Sequence, residues 1–154
     1  MTLVPIWLHV LGVVIWVGGL AWQAHVLAPL ARRGEVRLFV DAARRARPMS
    51  WVAVSVVGLT GFYNVTRLGS LAQVLESGAA LALAAKFMLV LGAVTLAAQR
   101  DFAQLPILAG AVAAAEDPAP ALRAIARLDR AVLVLALAIV YLGLFVSRAA
   151  LTIR

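Results

Sequence analysis

Few residues in this chain combine a chemically useful side chain with an apolar neighbourhood. His9, His25, Asn64, Lys86, Thr95 and Gln99 are polar groups set within long apolar runs, with Tyr63 beside Asn64. A polar or ionisable group in such a setting is costly to desolvate, so each marks a candidate site. A neutral imidazole can be an axial ligand of a b-type haem, which needs no Cys. Lys86 can hold an anion as the ammonium or, as the neutral amine, serve as a second ligand. The chain has no Cys, which excludes disulfides, thiolate metal sites, iron–sulfur clusters and thiol catalysis.

The apolar runs dictate the class of fold. Of 154 residues, 64% are apolar and 14% charged, against about half and about a quarter in a soluble domain. A bilayer can receive that surface, at about 20 residues per helical span. Spans are expected over 4–30, 48–66, 79–99 and 131–147, interrupted only by Lys86. The first run lacks a basic n-region and is too long for a signal-peptide core, so it reads as a retained helix. The expected fold is all-α: one integral membrane domain over 1–154, a four-transmembrane-helix bundle with short amphipathic interfacial helices. The first interfacial helix is Arg32 to Arg47, with Val36, Leu38, Phe39, Val40 and Ala43 as its apolar face. Pro48 then suits the first turn of a new helix. Gly69, Ser70, Ser77 and Gly78 punctuate a short connector. Residues 100–130 hold Pro106, Pro118 and Pro120 and read as a broken or amphipathic interfacial connector.

Charge supplies the orientation. The net charge is +7, from 13 Arg and Lys86 against 7 acids. The basic residues cluster at the ends of the apolar runs. There they read as topology signals and lipid headgroup contacts, not as a nucleic-acid surface. The first loop has six Arg and the third connector four, so the positive-inside rule puts both in the cytoplasm. Both termini then lie outside an inner (plasma) membrane. This orientation sets His9 and Lys86 at similar depth, within about one turn of each other. Asn64 and Tyr63 fall near the same layer, and Trp16 follows His9 by seven residues on the same face. His25 lies about 24 Å further along the helix and about 160° around it, so the two His cannot ligate one metal within one chain. Its own layer holds Met49, Trp51, Thr95 and Gln99.

Haem b fits this layout, with His9 and His25 as ligands in separate layers and Trp16 packing on the ring. Gly12, Gly18, Gly19, Gly58, Gly61 and Gly92 would let a flat macrocycle approach. No span contains a carboxylate, so a haem propionate or another anion would be the partner of Lys86. Structural readings stand beside each of these. His9 and His25 can bridge helices or reach headgroups, Lys86 can snorkel to the surface, and the glycines can serve helix packing. The tryptophans can belong to an interface belt.

The segment His9-Val-Leu-Gly-Val-Val-Ile-Trp16-Val-Gly18-Gly19, followed by Pro29, resembles the first helix of the CopD-like membrane family. It is also similar to that of HemJ-type protoporphyrinogen oxidases. Leu59-Thr60-Gly61-Phe62-Tyr63-Asn64 resembles the CopD-like end of helix 2. Lys86-Phe-Met-Leu-Val, with Arg100 beyond it, resembles helix 3 of both families. The HemJ resemblance implies a b-type haem and roles for His9 and Lys86. Ala21-Trp22-Gln23-Ala24-His25 stands where those proteins carry Leu-Pro-Arg and a second His, and Ala97 where they carry a late His. The CopD resemblance implies copper transfer across the membrane. Copper(I) favours soft ligands, and the only Met residues are Met1, Met49 and Met88, so His would carry that pathway.

The leading expectation is a small haem-binding membrane protein for electron transfer, or for oxidation of a hydrophobic substrate such as a porphyrin or quinol. A parallel homodimer, or Lys, Met or open coordination, would account for the missing axial ligands. The alternatives are a copper-handling protein without haem and a structural subunit without a cofactor. The orientation makes a direct prediction: a reporter fused at Ala109 reads as cytoplasmic, and an external signal there would refute the assigned topology.

Overall fold

The computed structural model describes residues 3–66 and 79–151. These form four helical rods and, among the described residues, no strand. The first rod is α1 (Leu3–Trp22), a π-helical segment (Gln23–Leu27) and α2 (Ala28–Arg32). The second is α3 (Val36–Thr66). The third is α4 (Ala79–Ala98), a second π-helical segment (Gln99–Gln104) and α5 (Leu105–Ala113). The fourth is α6 (Ala119–Leu151). Among the described residues, three stretches are long and apolar enough to cross a membrane: Leu3–Arg32, Val36–Thr66 and Ala80–Ala113. The 67–78 connector, with Arg67 and its Gly and Ser residues, lies outside the described residues.

The rods are longer than the uncharged runs, and two expectations change as a result. Residues Val36–Arg47 are not a separate interfacial helix; they are the first turns of α3, which continues through Pro48. A proline removes one hydrogen bond and crowds the carbonyl four residues back. It does not end this helix, which is anchored on both sides by Phe39, Val40 and Ala43 before it and Ala53 after it. Residues 100–113 likewise continue the third rod, and the turn to α6 is short.

Both corners at the Arg-rich end close with helix-terminating hydrogen bonds. After α2, Gly34 N donates to Ala31 O (3.1 Å) and Glu35 N to Leu30 O (3.2 Å). That pattern requires a left-handed residue, and Gly34 supplies it at φ 110°. After α5, Glu116 N donates to Ala111 O (2.9 Å), with Ala115 in the left-handed position at φ 55°. Asp117 Oδ1 then accepts from Ala119 N (3.0 Å) at the start of α6, the usual role of an N-terminal Asp.

Each π-helical segment leads into a proline, Pro29 or Pro106. A widened turn relieves the crowding that the ring imposes on the preceding turn. The widening is visible in the bonds from Ala28 N to Gln23 O and from Leu105 N to Arg100 O.

α1 packs chiefly on α3, and α4 on α6. Two core clusters join the pairs. Near the middle, Trp16, Leu20, Ala53, Ala93, Ala97, Val132 and Ala136 interlock. At the Arg-rich end, Leu27, Ala28 and Ala31 meet Phe39, Val40 and Ala43, then Leu105, Leu108, Ala121 and Ile125. The apolar face of residues 36–43 is therefore real, but it is buried in protein instead of lying on lipid; only Leu38 of that set stays exposed. Phe39, 1% exposed, fills the centre of this second cluster. Phe39→Ala is expected to cost about 3–5 kcal/mol by the lost contacts and the cavity, measured as a fall in the unfolding midpoint in detergent.

Candidate functional site

The first candidate site surrounds His9. Its Nδ1 lies 3.1 Å from Val57 O and 3.0 Å from Thr60 Oγ1, both on α3. A carbonyl can only accept, so Nδ1 carries the proton and Nε2 keeps its lone pair. The Thr60 hydroxyl donates to Val56 O (2.5 Å) and is free to accept from the imidazole. The ring rests against Gly61: a Cβ there would stand 3.2 Å from His9 Cε1. Only glycine allows so close an approach without displacing the imidazole.

Lys86 on α4 reaches the same neighbourhood. Its ammonium lies within electrostatic reach of the His9 imidazole. Its Nζ lies against α6 at Gly143, 3.3 Å from where a Cβ would be. Thus α1, α3, α4 and α6 all border this polar layer. Asn64 is half-buried on α3, and Tyr63 is partly exposed beside it.

The other predicted residues are placed differently. His25 is exposed, with Nδ1 2.9 Å from Ala21 O of its own helix, and it does not join His9. Trp16 is buried in the mid-bundle core, so its indole is committed to protein packing. Gly12 faces Val57 and Ala53 of α3. Close helix packing, not space for a macrocycle, therefore occupies the His9–Trp16 face. Thr95 donates to Leu91 O of its own helix, and Gln99 and Met49 are exposed. Among the described residues, no group of three or more His, Cys, Asp and Glu gathers to hold a metal.

The second candidate site is a buried ionic cluster that the sequence reading missed. Arg100, Asp101, Asp129 and Gln23 are all buried. The Arg100 guanidinium bonds Asp101 Oδ1 and Gln23 Oε1, and its Nε lies 3.0 Å from Asp129 Oδ1. Asp101 Oδ2 accepts the indole N–H of Trp51 at 2.9 Å. Gln23 opens one π-helical segment, and Arg100 and Asp101 lie in the other. Asp129 precedes the uncharged run of α6. Its burial pushes the carboxyl above the usual carboxylate range, and the Arg100 charge pulls it back. Its Oδ2 has no hydrogen-bond partner among the described residues.

A signal for this cluster exists in the sequence. Ala121, Ile125, Val132 and Ala136 are buried on one face of α6, and Asp129 falls in their helical phase. Reading 100–130 as a connector hid that phase.

A bundle of long apolar helices with buried polar layers is a polytopic membrane protein. The family model of CopD, copper resistance protein D, matches residues 40–146. That is more than two thirds of the chain, which therefore belongs to this family. Thr60, Asn64, Lys86, Arg100, Asp101 and Asp129 lie inside the match; His9, Gln23 and His25 precede it. No curated protein and no solved structure matches the chain.

Arg100 carries the ionic cluster, so its loss leaves two buried carboxylates uncompensated. Arg100→Ala and Asp129→Ala are each expected to destabilise the fold by about 3–5 kcal/mol. The double variant should fall short of their sum, because the two share one interaction. Unfolding midpoints in detergent check this, and strict additivity would count against direct coupling.

Proposed function

We propose that this chain is a copper-handling membrane protein, with α6 as its fourth span, its Arg-rich end cytoplasmic and its termini outside the inner (plasma) membrane. Membership of the copper resistance protein D family carries the reading. Copper is here the cargo. His9 supplies the donor, since its Nδ1–H is held by Val57 and Thr60 and Nε2 is left with the lone pair. One neutral imidazole binds copper only weakly, which suits passage better than storage.

Lys86 shapes what can arrive. An ammonium beside the imidazole repels a bare cation and attracts an anion. Copper reaching His9 therefore travels with a negatively charged co-ligand, and Lys86 is that co-ligand's partner. The haem reading, with its electron-transfer or oxidoreductase role, has weaker support: Trp16 is turned into the core and Gly61 is covered by His9.

Expression of the chain should change cellular copper content and copper tolerance. His9→Ala should remove most of that change, and His25→Ala, at an exposed position outside the His9 layer, should leave it intact. Elemental analysis of cells and growth on copper measure both. Copper content indifferent to expression would sink the proposal. A Soret band in purified protein that disappears in His9→Ala would restore haem in its place.

A further inference from the structure

Where the Arg-rich end meets the apolar runs, α3 and α5 border a groove of about 350 Å³ lined by Arg44, Arg47, Leu105 and Pro106. Arg44 and Arg47 are three residues apart on one helix, so their side chains share a face. Neither forms an ion pair with a carboxylate among the described residues. Asp41, one turn before Arg44, is exposed.

Arg47 is held in a particular way. Its guanidinium carbon lies 5.3 Å from the centroid of the Phe102 ring. The contact holds the guanidinium over an apolar ring, and no carboxylate among the described residues takes its N–H donors, which leaves them available to an anionic acceptor. Phe102 is in turn set against Trp51, with ring centroids 5.4 Å apart, and the Trp51 indole is tied to Asp101. The buried ionic cluster thus orients a basic side chain at the surface.

The depth of the groove restricts its occupant. Arg47 is the last charge before the uncharged run 48–66, which puts it at the level of lipid headgroups. Phe102 and Ile107, 59% and 57% exposed, flank the α5 side with apolar surface. Two guanidiniums without an ion pair among the described residues, beside apolar side chains at this depth, fit a phosphate joined to hydrocarbon.

We propose that this groove is a binding site for an anionic phospholipid, with its phosphate on Arg44 and Arg47 and its acyl chains against Phe102. The site is independent of the copper reading and requires only that the Arg-rich end meets a membrane surface.

The test is native mass spectrometry of the full chain released from nanodiscs of mixed phosphatidylglycerol and phosphatidylcholine. Phosphatidylglycerol should be retained in preference. Arg44→Gln with Arg47→Gln should lower its retention more than about tenfold, the effect of losing charge-assisted hydrogen bonds to one phosphate. Arg32→Gln with Arg33→Gln removes the same charge at the α2 corner and should leave retention unchanged. Arg44→Lys with Arg47→Lys keeps charge and fold but loses the planar fork, and should still weaken retention several-fold. Equal loss from the Arg32/Arg33 pair would mean diffuse attraction and overturn the site. So would equal retention of phosphatidylcholine, full retention in the lysine variant, or displacement by inorganic phosphate at matched concentration, which would reassign the groove to a soluble anion.

Discussion

A guanidinium buried among four helices must be neutralised and hydrogen-bonded, and the architecture of this protein follows from meeting that demand at Arg100. Its partners come from its own rod (Asp101), from the first rod (Gln23) and from α6 (Asp129). Asp101 extends the set to α3 through Trp51. Desolvating such charges costs several kcal/mol per ion, so the cluster is a poor source of net stability. Its effect is positional. The mid-bundle interface uses Ala53, Ala93, Ala97 and Ala136, small side chains that let helices come close and offer little resistance to sliding. From the third rod the guanidinium bonds Gln23 of the first and pairs with Asp129 of α6, Asp101 adds α3 through Trp51, and together these contacts set the relative depth of the rods.

The same constraint connects the two ends of the molecule. The mid-bundle core lies between the ionic cluster and the His9 layer, so fixing the rods at Arg100 also fixes which residues face one another near His9. His9 sits against Gly61 and Lys86 against Gly143, contacts with no side chain on one side to absorb a shift. A polar layer made of such close approaches depends on register set elsewhere.

Much of this was legible in the sequence, and the misses have physical causes. Uncharged runs marked the membrane-crossing stretches, because lipid penalises charge directly. The shared layer of His9 and Lys86 followed from topology and the fixed rise of a helix. Hydropathy could not say where a helix stops once it leaves lipid. The Arg-rich flank of α3 therefore read as a separate interfacial helix, although Phe39, Val40 and Ala43 bury it in protein. The prolines at 48 and 106 reinforced the error, since proline is usually a boundary and both are carried inside rods. Trp16 shares a face with His9 on a helical wheel, but its large apolar ring finds partners in the core. Asp101 and Asp129 were passed over because acids in a connector are normally solvated; their helical phase with buried neighbours was the better guide.

The two π-helical segments have a consequence for how this chain tolerates change in length. Each widened turn holds one residue more than an α-turn would, so the helix on either side is out of phase by roughly 100°. A one-residue deletion inside Gln23–Leu27 or Gln99–Gln104 would restore a regular helix locally while rotating everything beyond it, carrying Leu27 or Leu108 off the core face. The prolines that follow make such a repair sterically awkward as well. These segments therefore act as fixed-length spacers, while the corners at Gly34 and Ala115, which border solvent and carry no core residues, are where insertions would be absorbed.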